Sequence, residues 1–540
     1  MNPEPSAPSS PSSRLRESFA VPRQNRAILT IPERSDLAEL ACENSRDLSS
    51  VNLQIAGESF AEFRKQARRE ILAAAAKYTE EIGFGASGPR NFPLIVTGHQ
   101  PELFHAGVWA KNFAAHAVAD QTRGTGLNLI IDNDTFSTAT LQAPAGTSAS
   151  PHIDFISFDR PQPQQPWEEV LIADLPRFQA FGDQTAARIQ ADWGYTPLIS
   201  SGWSAAATEA KRSGRLCPAL TSARVAVERS AGVTNLEVPM SRVCETEAFS
   251  RFAAAILVEI NRFHEVYNDS VRLYRQIHRL KSVTHPVPEL DQTEDWRECP
   301  FWLWKRGSQK RERPHVRRMG NTFELRDSSE VILRFGDTVG EVSEAIRHLA
   351  KIGVRFRTRA LTTTLFARIF LADLFIHGIG GAKYDWMTDR ICQQFFNITP
   401  PPFATVSATL YLPLAQAFPV STLNLRTCQA QLREIHFHPE KFLASFADPV
   451  AGQLIAEKAA LISQLKSRRP TAKEHRRIQE INLHVFSMLS QVDQDLQESR
   501  DEIRRQIQAN SVLQNREFSW CLQPRSVLET FFQSEFMNPH

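Results

Sequence analysis

The chain has 540 residues, of which 42% are hydrophobic and 23% are charged, and its formal net charge is +2. At roughly 150 residues per domain, this length excludes a small module held together by disulfides. The composition excludes a wholly disordered or membrane-embedded chain, and the near-zero charge gives no overall attraction to nucleic acid or anionic lipid.

The N-terminal region and the cysteines indicate the cellular compartment. Residues 1–13 are rich in Pro and Ser and lack the apolar segment of a signal peptide, so we expect a disordered tail and a lead-in that ends at residue 33. The seven cysteines are scattered without a C-x-x-C pair, which indicates neither a disulfide framework nor a zinc site. These features predict a cytoplasmic protein.

Residues 34–169 are predicted to form the first part of an α/β core. Short apolar runs at 92–96 and 127–132 flank a helical pattern at 107–121. A strand, a helix and a second strand in this order form a βαβ unit with parallel, buried strands. Ligands of such sheets bind beyond the carboxyl ends of the strands, which here carry residues 98–100 and 132–134.

The rest of the chain alternates helical and strand-like segments. Residues 170–320 are predicted to be a helical or connecting insertion, and 321–450 the second part of the core, with a hairpin at 321–336. The apolar stretch 360–376 contains Arg368 and Asp373, so we expect a buried helix and not a membrane span. Residues 451–513 predict a helical hairpin or coiled coil that forms a homodimer, and 514–540 a C-terminal segment.

The first candidate site follows the strand at 92–96, in the sequence TGHQPELFHAGVWAKN. His99 and His105 are suited to acid-base catalysis near neutral pH, and Gly98, Gln100 and Lys111 to holding a phosphate or carboxylate. Alternatively, each histidine bonds a loop carbonyl, and Lys111 is a solvated helix residue.

The second candidate site follows the next strand. If that strand continues, Asp132 and Asp134 lie on one face, close enough to share a proton, a metal or an amine substrate, with Asn133 between them. The alternative is that Asp134 caps a turn. A catalytic role for both carboxylates and a binding role for Asn133 are the favoured interpretation, because the crevice of an α/β sheet lies at this end.

The third candidate site is the sequence HGIGGAKYD, which we predict to be a loop after an apolar helix. Closely spaced glycines let the backbone approach an anion, although the spacing matches neither a Walker A motif nor a dinucleotide-binding turn. The alternative is a plain loop with a helix cap. The predicted binding residues of this segment are His377, Gly380, Gly381, Lys383, Tyr384 and Asp385.

The basic stretch at 305–318 follows Trp302 and Trp304. Aromatic side chains beside cations can bind single-stranded nucleic acid, but the balanced charge of the chain favours a solvated loop or a flap that contacts a sugar or nucleotide. We predict no metal site and no nucleic-acid partner.

Three segments resemble the cysteine-adding enzymes of bacillithiol synthesis (the BshC family), which are described as ligases that join cysteine to glucosaminyl-malate. VTGHQPELFHAGVWAKN is similar to a family segment that begins V-T-G-Q-Q, and LNLIIDNDTF to a strand that ends in acid-Asp-His-Asp. FRTRALTTTLFARIFLADLFIHGIGGAKYDWMTDRI is similar to an apolar helix followed by G-G-P-G-E-x-x-Y-W. This chain has His99-Gln100 where the family has Gln-Gln, and Asp132-Asn133-Asp134-Thr135 where it has acid-Asp-His-Asp. The Pro and Glu of the glycine loop are replaced, giving Gly381-Ala382-Lys383.

The resemblance covers most of residues 50–530 and implies a function. It implies a Rossmann-like core akin to class I nucleotidyl transferases, with helical insertions and a coiled coil that forms the dimer. It further implies a ligase that condenses an amino-acid carboxyl with an amine on a small sugar-type acceptor and uses ATP or another nucleotide. The alternatives are a divergent member with another substrate, or a non-catalytic protein that binds a nucleotide or thiol metabolite.

Overall fold

The structure is a computed structural model that describes residues 19–86, 93–443, 449–465 and 468–537. The predicted tail at 1–13 lies outside these ranges. The strands are β1 (Ala27–Ile31), β2 (Gln54–Ile55), β3 (Glu58–Ser59), β4 (Leu94–His99), β5 (Thr125–Ile130), β6 (Thr140–Gly146), β7 (Pro151–Ser157), β8 (Leu236–Pro239), β9 (Gln292–Thr293), β10 (Trp296–Glu298), β11 (Phe301–Lys305), β12 (His315–Met319), β13 (Thr322–Arg326), β14 (Val331–Gly336), β15 (Val354–Thr358), β16 (Leu374–His377) and β17 (Ala404–Thr409).

The α-helices of the described residues alternate with these strands. They are α1 (Leu37–Ser49), α2 (Phe60–Glu81), α3 (Ala106–Gln121), α4 (Leu175–Trp193), α5 (Ile199–Ser213), α6 (Leu216–Ser230), α7 (Met240–Val243), α8 (Glu247–Val258), α9 (Ile260–Ile277), α10 (Val339–Lys351), α11 (Ala360–Phe366), α12 (Ile379–Phe395), α13 (Thr422–Phe437), α14 (Pro449–Gln464), α15 (Ala472–Ser487) and α16 (Ser490–Leu513). No helix among them is long and apolar enough to cross a membrane.

A six-stranded sheet forms the centre of the larger of two compact units, confirming the predicted α/β class with a mostly parallel sheet. Its order is β1-β17-β16-β4-β5-β8, and only β1 runs antiparallel to its neighbour. The strands β4 and β5, joined by α3, are the predicted βαβ unit. Both are short apolar runs because helices cover both faces of such a sheet.

The order of the strands reverses beside β4. From β4 the chain proceeds through β5 to β8 on one side, whereas β16 and β17 lie on the other side. The carboxyl ends of β4 and β16 therefore flank the point where the connections diverge, which is where open α/β sheets form a ligand crevice.

The apolar stretch 360–376 is not the single helix that the sequence predicts. Helix α11 ends at Phe366, a π-helical segment follows at Ala367–Leu371, and the chain then enters strand β16. The Asp373 carboxylate accepts a hydrogen bond of 2.6 Å from the backbone N–H of Leu94 on β4, which fixes the start of β16. A continuous apolar run shows no period that distinguishes a helix from a strand, so this boundary was missed.

Residues 170–320 contain more strands than predicted. They supply β8 to the central sheet, and β9, β10 and β12 join β13 and β14 in a five-stranded antiparallel sheet. The predicted hairpin at 321–336 is present as β13 and β14. The lead-in up to residue 33 likewise contains an unpredicted strand, β1, which lies at the edge of the central sheet and pairs with β17.

The smaller unit comprises the described residues within 144–154 and 414–515. Its C-terminal part contains three helices, α14, α15 and α16, where the sequence predicts a hairpin of two. A break at Ser487–Ser490 separates α15 from α16, in addition to the break near Pro470. Helix α13 packs against α16, and α14 packs against α15.

Candidate functional site

A cavity of about 770 Å³ lies in the larger unit, at the carboxyl ends of β4 and β16. It is therefore in the crevice that the strand order predicts. The structure brings together at this cavity most of the residues predicted from three separate segments, namely Gly98, His99, Gln100, His105, Lys111, Asn133, Asp134, His377, Gly380, Gly381 and Tyr384.

Lys111 is a buried cation in the wall of this cavity. Its side chain lies in α3 with only 3% of the residue exposed, and Nζ donates a hydrogen bond of 2.7 Å to the carbonyl of Gly98. Burial, and then the nearby Arg224, lowers the pKa of Lys111 to about 7. In the described part of the chain no carboxylate forms an ion pair with it, so the interpretation as a solvated helix residue is wrong.

The N-terminus of α12 borders the same part of the cavity. Gly378 is the N-cap, and Gly380 and Gly381 lie in the first turn of the helix instead of in a loop. A Cβ atom on Gly378 would lie 3.8 Å from Cδ of Lys111. The positive end of the helix dipole and the lysine side chain are therefore adjacent, and both favour a negatively charged ligand.

His377 is the last residue of strand β16. It does not cap the C-terminus of a helix, which was the alternative that the sequence suggested. Its Nε2 lies 2.8 Å from Oδ2 of Asp385, which also accepts a hydrogen bond from Arg368. Burial raises the pKa of Asp385, but Arg368 and His377 outweigh this effect and the pKa falls to about 2. Asp385 is not part of the cavity wall. Asp385 therefore positions His377. This differs from the predicted role of Asp385, which was to bind the ligand directly.

The two glycines at the start of α12 offer a matched pair of substitutions. An added Cβ at Gly381 would lie 2.7 Å from Nδ1 of His377, whereas one at Gly380 would meet no atom of the described residues within 4 Å. We expect Gly381→Ala to displace the His377 ring and to lower the free energy of unfolding by about 1–3 kcal/mol. Gly380→Ala is expected to leave stability unchanged or to raise it slightly, because alanine favours the helix. Urea denaturation of both variants measures this, and equal stabilities would contradict it.

His99 is a neutral hydrogen-bonding group at the end of β4. Its Nδ1 lies 3.3 Å from the carbonyl of Gln100, and because a carbonyl only accepts, Nδ1 carries the proton and Nε2 is left as an acceptor. Burial, followed by Lys111, lowers the pKa of His99 to about 3. The ring is therefore uncharged at neutral pH and acts through its hydrogen bonds.

His105 is the N-cap of α3. Its Nδ1 accepts a hydrogen bond of 3.0 Å from the backbone N–H of Gly107, as a helix N-terminus requires. Burial, then Arg516 and Lys111, lowers the pKa of His105 to about 4. The ring is thus neutral, and its Nε2 lies 3.6 Å from the Glu517 carboxylate.

The two aspartates after β5 do not act as a pair. Strand β5 ends at Ile130, and Asp132 is buried outside the cavity wall, where it accepts hydrogen bonds from the backbone N–H and the hydroxyl of Ser241. Burial, then Glu168, raises its pKa to about 7. Asp134 lines the cavity and accepts hydrogen bonds from Gln100 and Arg311. The prediction of a shared face is wrong because the chain turns after β5.

Asn133 lies between these aspartates and lines the cavity. Its amide nitrogen donates to the carbonyl of Thr358, while its buried Oδ1 has no hydrogen-bond partner among the described residues. An orphaned buried acceptor is costly in the absence of a ligand. The hydrogen-bonding capacity of this atom is therefore unused within the described chain.

Cations from distant parts of the chain complete the wall. The guanidinium groups of Arg311 and Arg359 lie 4.5 and 4.9 Å from the ring centroid of Trp302. Arg311 belongs to the basic stretch at 305–318, so part of that stretch does contact the cavity. Arg516 follows β17 by more than a hundred residues in the sequence, yet it also lines the cavity. Its Nη1 atom has no hydrogen-bond partner in the described chain.

The wall also contains residues to which the sequence assigned no role, among them Tyr267, Arg359 and Arg516, and Lys383 lies outside it, as Asp132 and Asp385 do. Arg359 belongs to a segment that the sequence predicts only as a strand and an apolar helix, Arg516 to a segment without a recognisable motif, and Tyr267 to a helix whose apolar spacing indicates only packing. By contrast, Lys383 is exposed on α12 and lies outside the cavity wall, because successive helical residues point in different directions.

The chain matches no known protein-family model, and a comparison with curated proteins finds no significant similarity. The site must therefore be interpreted from its own geometry. Apolar residues form much of the wall, but among its charged residues the cations Lys111, Arg311, Arg313, Arg359 and Arg516 outnumber the carboxylates Asp134 and Glu517. Asp134 is already paired with Arg311. Such a cavity suits a small anionic ligand bearing phosphate or carboxylate groups.

Proposed function

We propose that this protein is an enzyme that condenses an amino-acid carboxyl with an amine on a small sugar-type acceptor, as in the cysteine-adding step of bacillithiol synthesis. The observation that supports an anionic ligand most strongly is Lys111, a buried cation with no carboxylate partner in the described chain, beside the N-terminus of α12. The family resemblance supports the choice of substrates.

The proposed fold class is a Rossmann-like core akin to class I nucleotidyl transferases. The parallel strands β16, β4, β5 and β8 and the crevice beside β4 support it. The three helices of residues 451–513 support a coiled coil, and we propose that they join two copies of the chain. Light scattering that finds a monomer at micromolar concentration would contradict the dimer.

The residues of the cavity suggest how the substrates are held. A nucleotide such as ATP would supply the phosphate that activates the carboxyl group. Lys111 and the first turn of α12 would bind the phosphate oxygens, and the Asn133 Oδ1 atom would accept a hydrogen bond from an N–H or O–H group. His99, being neutral, would orient a donor group of the substrate through Nε2.

The substrate assignment is tested by incubating the purified protein with cysteine, ATP and glucosaminyl-malate and following the product by mass spectrometry. An adduct of cysteine and glucosaminyl-malate that requires Lys111 is the expected result. The absence of any adduct from a protein with an intact fold would reject this assignment.

The second candidate function is a non-catalytic protein that binds a nucleotide or thiol metabolite. It is favoured by the bonds that His105 and Asp132 already make, because both of these predicted catalytic groups hold secondary structure together. A thermal-shift screen separates the two functions. Stabilisation by a nucleotide without turnover of any acceptor supports the binding protein.

A further inference from the structure

A second cavity of about 390 Å³ adjoins the first. The two cavities share His99, His105, Val108 and Glu517 in their walls. A reaction between two different small molecules requires that both are held within reach of each other, and adjoining cavities that share wall residues are compatible with this.

The wall of the second cavity differs in chemistry from that of the first. It is lined by the residues Ser137, Thr138, Thr140, Gln142 and Trp167. The Trp167 residue is 2% exposed, and its Nε1 donor has no hydrogen-bond partner in the described part of the chain. Hydroxyl, amide and indole groups beside an aromatic surface are suited to a polyhydroxylated ring.

Glu102 supplies a negative charge to this second cavity. It lies in the turn between β4 and α3, and its carboxylate forms no hydrogen bond or ion pair within residues 19–86, 93–443, 449–465 and 468–537. Burial, and then Asp134, raises the pKa of Glu102, so this carboxylate is stabilised by any cation that binds beside it. Lys111 is absent from the wall of the second cavity, and Glu102 from that of the first.

We infer that the second cavity binds a sugar-like molecule carrying a free amine, with the ammonium group on Glu102, while the first cavity binds the anionic reactant. This inference rests on the proposed function for the pairing of the two reactants, but the binding specificity of the second cavity is a separate claim. The Nε2 atom of His99, in the shared wall, accepts a hydrogen bond from the amine and orients it toward the first cavity.

The inference is tested with glucosamine as the probe for the second cavity and inorganic pyrophosphate as the probe for the first, each titrated by calorimetry into the full chain. Glu102→Gln is expected to weaken glucosamine binding by about tenfold to a hundredfold and to change pyrophosphate binding less than twofold. Lys111→Met is expected to give the opposite pattern. Glu80→Gln, which alters an exposed carboxylate on α2, is expected to change neither affinity.

Two further measurements separate the possible outcomes. N-acetylglucosamine lacks the ammonium group, so we expect it to bind the wild-type chain at least tenfold more weakly than glucosamine does. The Glu102→Gln variant is expected to bind the two sugars with equal affinity. Saturating pyrophosphate is expected to leave a glucosamine site open. Competition between the two probes, or unchanged glucosamine affinity in a folded Glu102→Gln variant, would overturn the inference.

These experiments do not depend on turnover. Glucosamine binding that requires Glu102, together with no adduct from glucosaminyl-malate, would reject the substrate assignment and leave the second cavity as inferred. An adduct whose formation is unaffected by Glu102→Gln would support the proposed ligase and reject the role of this cavity.

Discussion

Lys111→Met is expected to weaken pyrophosphate binding by about a hundredfold while making the folded chain more stable. Removing a charged hydrogen bond to an anion costs about 1.5–3 kcal/mol, and loss of the positive charge from the cavity adds to this. Methionine fills a similar volume without the cost of burying an ammonium group, so the free energy of unfolding at pH 6 is expected to rise by about 1–4 kcal/mol.

The stability difference should depend on pH in a defined direction. The pKa of Lys111 falls from 10.5 to about 7 in the folded chain, so between these values the unfolded chain binds more protons and stability rises with pH. The advantage of methionine is therefore largest below pH 7 and disappears toward pH 10. Denaturation of both proteins at pH 6 and pH 9 measures this change.

The same protonation governs ligand binding. An anion binds the charged lysine, so the ratio of the wild-type affinity for pyrophosphate to that of Lys111→Met is expected to fall as the pH rises above 7. The titration of pyrophosphate itself affects both proteins equally and cancels in this ratio. Lys77→Met, at an exposed position on α2, is the matched control. An equal pH dependence in wild type and Lys111→Met would contradict the assignment of the charge to this residue.

Asp373→Asn is expected to lower the free energy of unfolding by about 3–5 kcal/mol. The buried Asp373 carboxylate pairs with Arg64 at 2.8 Å and Arg68 at 2.9 Å, and it also accepts from the backbone N–H of Leu94. An amide keeps the size of the side chain but leaves two guanidinium groups buried without a negative charge. Because the pair joins α2 to the start of β16, the crevice should loosen as well.

Urea denaturation at neutral pH measures the effect, with Asp47→Asn on the exposed face of α1 as the control. Burial raises the pKa of Asp373, but Arg64 and Arg68 outweigh it and hold the pKa below its usual range. The contribution of this carboxylate is therefore present above the pKa of an unfolded aspartate and is lost as the pH falls through the folded value. The difference in the free energy of unfolding between wild type and Asp373→Asn should therefore become smaller in acid. A decrease in this free energy of less than about 1 kcal/mol at pH 7 would contradict the role of Asp373.

The parts of the fold that the sequence predicted are those with a clear local pattern. Apolar runs and a helical period predict strands β4 and β5 with α3 between them. Turn residues between two strand-like segments predict the hairpin of β13 and β14. Strand β16 did not, because it continues an apolar helix without a change of period. The boundary there is set by Asp373 and its partners from α2 and β4.

For the candidate site, the sequence predicted the segments better than the individual roles. His99, Lys111 and Gly381 do reach one cavity, since the carboxyl ends of parallel strands meet at one edge of a sheet. The sequence could not show that His99 is neutral or that Lys111 is buried without a carboxylate partner in the described chain. Their catalytic or binding functions remain predictions.

The α/β class, the first βαβ unit and the position of a glycine-rich segment beside the crevice could be predicted from the sequence alone, because local periodicity and residue type govern these features. Only the tertiary structure placed Glu102 beside a second cavity, Asp132 outside the first and Arg516 within its wall. Burial and the charges of distant segments set the pKa and the hydrogen-bond partners of each group, and neither is encoded in the spacing of residues along the chain.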